Sequence, residues 1–593
     1  MTEGHDFNRF PPPMLEKPTT WTMASVTPPG RYNNFSEAHE RHRKLFDRPL
    51  LHPWEDVLPP GVDQKLFDAV INELVELLGS DGVFVGKALV DYVDPFELSE
   101  AEGKRRQPSA AVCPRSLDEI KGVLQIANKN AIPLWTFSRG KNLGYGGPAP
   151  ILQGSLIIDL HRLGEIIEVN EEFAYAVVEP GVTFKELFDH CVESKLKVWP
   201  SAPSLPWGSV IGNTLDRGMG FLPTGVHSQQ IAGLEVLLAN GDVVRTGHFA
   251  NSKSKSGHLT KHSFGPSIEG LFLQSNLGIV TKLGIWLTPQ PHSYMMCNLS
   301  VPDMKDVKIL VDLLAPMRRN GLIPGTVWAC SGTEVLAAMH KRAEIWKEPG
   351  PIPHSRLGEL LKEFGMGLWN AMFGLYGPKS VVEAQFNEIK AIVENQAPVA
   401  QFRGNIYGGK DSGLVDVLSI PELDGGMWAG VPNFLSWEGL KWNLPLNSSA
   451  SQPSHRDYAP IIPANGDTVL EWAEVSRRIC EEEGFDIFCD FFILERHVIF
   501  VYLTTFDKAD LKQRKAMKSI LSRLHEEGEA RGYAPYRCHI DDMDRVSESF
   551  DFNNHAYRRF VENLKDTFDP QGILSPGKSG IWGKRFRETN GST

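Results

Sequence analysis

Apolar residues first become periodic at Gln64. Leu66, Val70, Leu74, Leu77 and Leu78 recur at helical spacing and predict a helix over 64–78. An α/β texture follows. A short apolar strand is expected at 109–113, and Ser116-Leu117-Asp118-Glu119 forms a capping-box pattern that opens a helix towards Lys129. Further strands are expected at 133–137, 156–160 and 173–178, with a turn at Pro180-Gly181. Thr183 and Glu186 sit three apart and cap a helix carrying Phe184, Leu187 and Phe188. Strands at 231–238, 243–244 and 278–287 complete a strand-rich half. Beyond Pro289 the period lengthens. Amphipathic helices are expected at 307–317, 379–393, 468–483 and 509–528, with strands at 487–494 and 497–504 between them, which reads as a second, α+β domain. The tail from Asp569 is turn-rich. Residues 1–60, with Pro11-Pro12-Pro13, Pro28-Pro29 and a charged run from Glu37 to Lys44, hold few core positions and read as a surface arm. No internal repeat is visible.

Length and composition narrow this picture. A prior of one domain per ~150 residues gives two to four domains for a chain of this size. The 61 basic and 73 acidic residues leave a formal charge of −12, which argues against a nucleic-acid-binding surface, since that needs a clustered positive field. No apolar run approaches the ~20 residues that cross a bilayer. The polar, proline-rich start is unlike a secretory signal. Seven scattered cysteines without a Cys-x-x-Cys pair suggest reduced thiols, hence a cytoplasmic location with the peroxisome as the alternative, and no zinc pattern or other metal site is expected.

The candidate chemistry lies in glycine-rich segments. Ser138-Arg139-Gly140-Lys141-Asn142-Leu143-Gly144-Tyr145-Gly146-Gly147 follows a predicted strand, and such glycines let successive N–H groups converge on an anion such as a pyrophosphate. A flexible surface loop is the plain alternative. The segment is neither a Walker loop nor a Gly-x-Gly-x-x-Gly turn. A second glycine-rich segment, Gly208-Ser209-Val210-Ile211-Gly212-Asn213-Thr214, leads to Asp216-Arg217-Gly218-Met219-Gly220, and Gln274-Ser275-Asn276-Leu277-Gly278-Ile279-Val280-Thr281 enters a strand. Two separated loops of this kind suit a long dinucleotide gripped at several points.

These three segments, in this order and spacing, resemble the FAD-binding domain of the vanillyl-alcohol oxidase and p-cresol methylhydroxylase family. The likeness runs from about Gln64 to Trp582, through Leu368-Trp369-Asn370, Leu375-Tyr376-Gly377-Pro378 and Pro576-Gly577-Lys578-Ser579-Gly580. It implies an α+β fold: a PCMH-type FAD-binding domain in two parts (61–290 and 533–593) interrupted by a substrate-binding cap (291–532), after the extension at 1–60. The cofactor implied is FAD. The residues expected to hold it are Arg139, Gly140, Lys141, Asn142, Gly144, Gly208, Ser209, Gly212, Asn213, Gly278, Ile279 and Lys578.

The resemblance also implies a phenol held as phenolate by Tyr145, Tyr536 and Arg537. That arrangement suits the chemistry: removing hydride from a benzylic carbon leaves a cation, which a para-oxyanion converts into a neutral quinone methide. A permanently charged arginine and two donating tyrosines favour the ionised phenol. Without the resemblance, Tyr536-Arg537 reads as a surface ion pair beside a packed ring. Ser204 falls where the oxidase branch carries its catalytic aspartate, and the replacement acid is expected to be Asp490. An isolated carboxylate in the apolar strand 487–494 is expensive to bury unpaired, and burial raises its pKa as a general base requires. The open alternatives are a paired structural carboxylate or a solvent-facing position. Asp486, near a turn, reads as solvated. Water addition to the quinone methide, giving net hydroxylation, follows from the relocated acid.

His455, five residues before Pro460, has the spacing of the family's flavin-linked histidine, so FAD is either covalent through His455 or held without a bond. The position of a helper histidine is Phe96. His227, His497 and His539 read as packing residues, with His539 close behind the Tyr536-Arg537 pair. The expected partners are a small phenolic substrate, oxygen or a redox protein as electron acceptor, and a second copy in a homodimer, because the stretch 251–262 is shorter than the loop with which some members of the resembled family build octamers. The rival functions are a flavoprotein acting on another alcohol or hydroxy acid, or a flavin-binding protein without catalysis.

Overall fold

Where the chain alternates and caps itself, it forms the elements expected of it. The computed structural model describes residues 50–103, 106–410, 413–420, 426–432, 439–447 and 450–590, so most of the N-terminal arm lies outside the described residues. The first helix is Gln64–Leu78, with Phe67, Val70, Leu74 and Leu78 on its buried face. Next comes a sheet of β1 (Val83–Phe84), β2 (Ala111–Val112), β3 (Leu134–Phe137) and β4 (Leu156–Asp159), in the order β1-β2-β4-β3. The β2–β4 and β3–β4 pairs are parallel. Helix Leu117–Asn130 links β2 to β3. Its Ser116 cap accepts from Glu119 N, while the Glu119 carboxylate reaches one residue further back, to Arg115 N.

A second sheet packs beside the first. It comprises β5 (Ile166–Asn170) and β6 (Tyr175–Val178), then, beyond the short β7 (Val198–Trp199), β8 (Ile231–Leu237), β9 (Val243–Arg245) and β10 (Ile279–Trp286). Its order is β5-β6-β10-β8-β9, antiparallel throughout. Thr183 and Glu186 form the full reciprocal capping box at Phe184–Glu193. The second glycine-rich segment differs from expectation: from Val210 it is a short helix, Val210–Leu215, capped by Ser209. Gly212 is needed there for closeness, since a Cβ would lie 2.3 Å from Ser138 Oγ.

After β11 (Thr288–Pro289), the chain builds an eight-stranded antiparallel sheet from β12 (Ser293–Val301), β13 (Val327–Ser331), β14 (Trp369–Gly377), β15 (Gln401–Gly408), β16 (Pro453–Tyr458), β17 (Ile461–Pro463), β18 (Cys489–Ile493) and β19 (His497–Asp507). The order is β15-β12-β14-β13-β18-β19-β16, with β17 also on β19. Helices Val307–Arg319, Gly466–Glu482 and Leu511–Ala530 cover one face, where Ala329, Phe491, Phe500, Tyr502 and Tyr458 join the largest core. The opposite face meets the first half of the chain through Trp328, Phe492, Ile499, Val501 and Leu503, packed with Met219, Phe221 and Tyr536.

The tail returns to the first sheet. Leu574 bridges Leu134 in parallel, and Ile573 and Leu574 lie in the core under β3 and β4. Buried Lys565 pairs with Asp569 at 2.8 Å and donates to the carbonyls of Asn276 and Leu574. Thus the helix Gln64–Leu78, the strand that begins at Ile279 and Leu574 share one core.

Candidate active site

The strand register determines what the inner face of the large sheet carries. Cys330 stands opposite Asp490, Asp490 opposite Val501, Leu503 opposite Asp457, and Thr505 opposite His455. Because alternate strand residues share a face, Trp328, Asp490, Phe492, Asp457 and His455 all point to the side that packs on Tyr536. His455 and Asp457 press on the first glycine-rich loop: a Cβ at Gly144 would lie 2.7 Å from both Asp457 Oδ2 and His455 Cε1. With φ at +79°, Gly144 satisfies a backbone requirement as well as a steric one.

The next residue is Tyr145, buried at 2% exposure. The Arg537 guanidinium carbon lies 4.0 Å from the Tyr145 ring centroid and 5.3 Å from that of Tyr536. Backbone bonds fix this group: Ile540 N donates to Tyr145 O, Tyr536 N to Ala459 O, and Gln274 Nε2 to Tyr536 O. Burial raises the phenol pKa of Tyr145 far above its ordinary value and that of Tyr536 above it, with the Arg537 charge opposing in both, so both hydroxyls stay protonated as donors. For Arg537, burial disfavours the cation, yet Tyr536, Tyr145 and Asp216 outweigh it.

Asp490 is pushed up to about 7, first by burial and further by the Asp457 charge, with a Trp328 hydrogen bond opposing. Its Oδ1 is buried without a hydrogen bond among the described residues. It is not isolated. Glu334, in the helix Gly332–Ala337 that follows β13, is raised well above the ordinary carboxyl range by burial and by the charges of Asp490 and Asp457. Asp486 corrects an expectation: it is buried, pairs with Arg342 at 2.7 Å and accepts from Ile352 N. Its backbone position near a turn gave no sign of that partner. Ser204 lies half-buried in the loop before Gly208.

A groove of about 230 Å³ runs from β3 past the helix Val210–Leu215 to the C-terminal turn. Every residue expected to hold the cofactor lines it except Gly144 and His455, which face each other beyond its end. The groove fits a dinucleotide. Thr136 Oγ1 and Asn276 Oδ1 are buried on its wall with no hydrogen bond among the described residues, and Arg139, Lys141 and Lys578 bring positive charge. Burial, with Arg139 nearby, lowers Lys141 to about 7, and a bound pyrophosphate would restore its charge. Sequence reasoning missed Asp216, which links the groove to the tyrosines: it accepts from Asn142 Nδ2 at 2.7 Å, pairs with Lys578 at 3.1 Å and reaches Arg537 at 4.0 Å. Its place between two glycine-rich runs was the available signal.

The histidines differ among themselves. His227 is buried against Asn213 and lowered to about 4 by desolvation. His539 is raised to about 9: burial and Arg456 oppose its charge, but hydrogen bonds to Asp541 and Asp94 prevail. At the C-terminal end of β4 lies a His/Cys/carboxylate cluster of Cys113, Asp159 and His161.

Residues 108–247 match the FAD binding domain family, so groove and fold define an FAD-dependent oxidoreductase. The chain is 33% identical over 530 residues to the 4-cresol dehydrogenase [hydroxylating] flavoprotein subunit of Pseudomonas putida, covering 88% of this chain and 98% of that one. It therefore belongs to the p-cresol methylhydroxylase and vanillyl-alcohol oxidase family. Two solved structures share the fold: 4-ethylphenol oxidase from Gulosibacter chungangensis (34% identity, TM-score 0.83, 90% of this chain and 100% of that one) and p-cresol methylhydroxylase with substrate bound (33%, 0.80, 89% and 99%). No helix among the described residues is long and apolar enough to cross a membrane.

Proposed function

We propose that this enzyme oxidises para-alkyl phenols at the benzylic carbon, with the division into 61–290, 291–532 and 533–593 given above. The observation that carries the proposal is Arg537 lying against both Tyr145 and Tyr536, on the side of the fold where Asp490 projects from the facing sheet. Arg537 and the two protonated tyrosines bind the phenol oxygen and favour its ionised form. The oxyanion pushes electrons through the ring as hydride leaves, which makes the departing carbon part of a neutral quinone methide. Bound FAD supplies the hydride acceptor.

Asp490 then takes the proton from the water that adds to this carbon. Poised at about 7, it exchanges a proton near neutrality. Trp328, Phe221 and Phe492 surround its approach with aromatic surface, which suits an alkyl substituent. Arg139, Lys141 and Lys578 would hold the pyrophosphate, and His455 would be the attachment residue for the flavin. Electrons leave to dioxygen or a redox protein. We place the enzyme in the cytoplasm as a homodimer, for which light scattering on the purified protein should give twice the chain mass.

The test is anaerobic mixing of the purified yellow protein with 4-ethylphenol and 4-cresol. Rapid bleaching of the flavin band is expected. A flavin that stays oxidised with both phenols, yet bleaches with hydroxy acids, would overturn the proposal.

A further inference from the structure

His455 and Asp457 form a close pair on one strand face. His455 Nδ1 and Asp457 Oδ1 are 2.9 Å apart, with the two side chains 11% and 5% exposed. No hydrogen bond among the described residues reaches Nε2. The ring edge bearing Cε1 is turned to Gly144, and the loop that carries Gly144 runs into the groove at Asn142. On its other side the imidazole meets Phe96 edge-on, with centroids 4.9 Å apart. Phe96 occupies the position where a helper histidine was expected, and a phenyl ring can neither accept nor orient a proton. Asp457 is thus the ionisable side chain in hydrogen-bond contact with the imidazole.

We infer that Asp457 is the positioning residue for cofactor attachment: it holds the proton of His455 on Nδ1 and leaves the Nε2 lone pair free to attack the methyl carbon of the isoalloxazine ring. This rests on the reading of His455 as the attachment residue and adds to it the group that makes the imidazole a nucleophile. The carboxylate acts twice. It fixes the tautomer before attack, and afterwards it neutralises the imidazolium that alkylation of Nε2 creates. One C–N bond forms and one methyl C–H bond breaks, its proton leaving to solvent. The two electrons remain on the flavin until dioxygen removes them as hydrogen peroxide. The strand geometry supports this division of labour. Residues 455 and 457 are two apart, so both side chains lie on the inner face, and the Asp457 backbone N–H also points at Gly144 O, at 3.4 Å.

The experiment compares wild type, Asp457→Asn, Asp457→Glu and His455→Ala, each purified with FAD. The absorbance of the native proteins reports occupancy and hence an intact site. Fluorescence of the denatured band on a gel, with the mass of the tryptic peptide holding His455, reports the bond. Wild type should keep its flavin through denaturation, and His455→Ala should release it all. Asp457→Asn should bind FAD but attach it at least tenfold more slowly on reconstitution of the apoprotein, with Asp457→Glu intermediate. Attachment in Asp457→Asn at the wild-type rate would overturn the role of Asp457 while leaving His455 as the linked residue. Release of all flavin by denatured wild type would overturn the linkage itself, and the proposal with it.

Discussion

Replacing Asp490 by asparagine removes one proton site and almost no volume, so its effects on rate and stability can both be worked out. The folded carboxyl titrates at about 7, against an ordinary value of ~3.9, and at ~1.4 kcal/mol per unit the difference is at most ~4 kcal/mol. The sign follows from the raised value. A group that binds its proton more tightly when folded contributes stability below its unfolded pKa and loses that contribution as the pH rises through 7. Wild type and Asp490→Asn should therefore move apart between pH 4 and pH 8, the variant becoming the more stable at alkaline pH. Solvent reaching the cavity reduces the gap to roughly 1–4 kcal/mol. Thermal denaturation of both FAD-loaded proteins across that range checks it. Turnover should respond in the opposite sense, with kcat/KM for 4-ethylphenol falling by ~10²–10⁴ and the limb that rises through pH 7 disappearing. A variant that retains that limb, or stays within about threefold of wild type in rate, would refute Asp490 as the base.

Other consequences can be tested alongside. Arg537→Lys loses the flat guanidinium stacked on Tyr145 and should lower kcat/KM about 10- to 100-fold, while bound 4-nitrophenol shifts from its phenolate towards its phenol absorption band. Asp216→Ala frees Asn142 and Lys578 together, so the FAD dissociation constant of a His455→Ala background should rise about tenfold or more by fluorescence titration, equivalent to ~1.4 kcal/mol. Thr183→Ala breaks the capping box at Phe184–Glu193 and should cost about 1 kcal/mol, seen as a lower denaturation midpoint with FAD affinity unchanged.

The parts of the fold that were legible were those whose physics is local. Both N-caps, at Ser116 and Thr183, appear where expected, with the full reciprocal box only at Thr183, because a side chain three residues away suffices to make them. Strands β12, β14 and β15 escaped notice for a clear reason. In β12 every residue is buried, so the alternation that marks a strand is absent, and β15 carries a glycine at its centre. The site divides in the same way. Glycine-rich loops and an acid in an apolar strand can be seen in a sequence; the structure lines one groove with most of the glycine-rich residues and sets Arg537 against Tyr145 and Tyr536. Glu334, Asp216 and Asp457 could not be found so easily, since each looks like an ordinary charged residue until its distant neighbours are known. Asp457 in particular is masked by Arg456, which faces the other way and pairs with Asp541 and Asp542.

The register of β16 against β19 has a further consequence for how this enzyme tolerates change. His455 and Asp457 face Gly144 only because Thr505 and Leu503 are their partners across the ladder. Sliding the strand by a single residue would turn both side chains into the helix-covered core and bring Arg456 out in their place. Substitutions in this strand can therefore be graded, but insertions and deletions cannot. For anyone redesigning the enzyme, diversity at residues 453–458 should be introduced as changes of side chain at constant length, with length variation kept to the loops at either end.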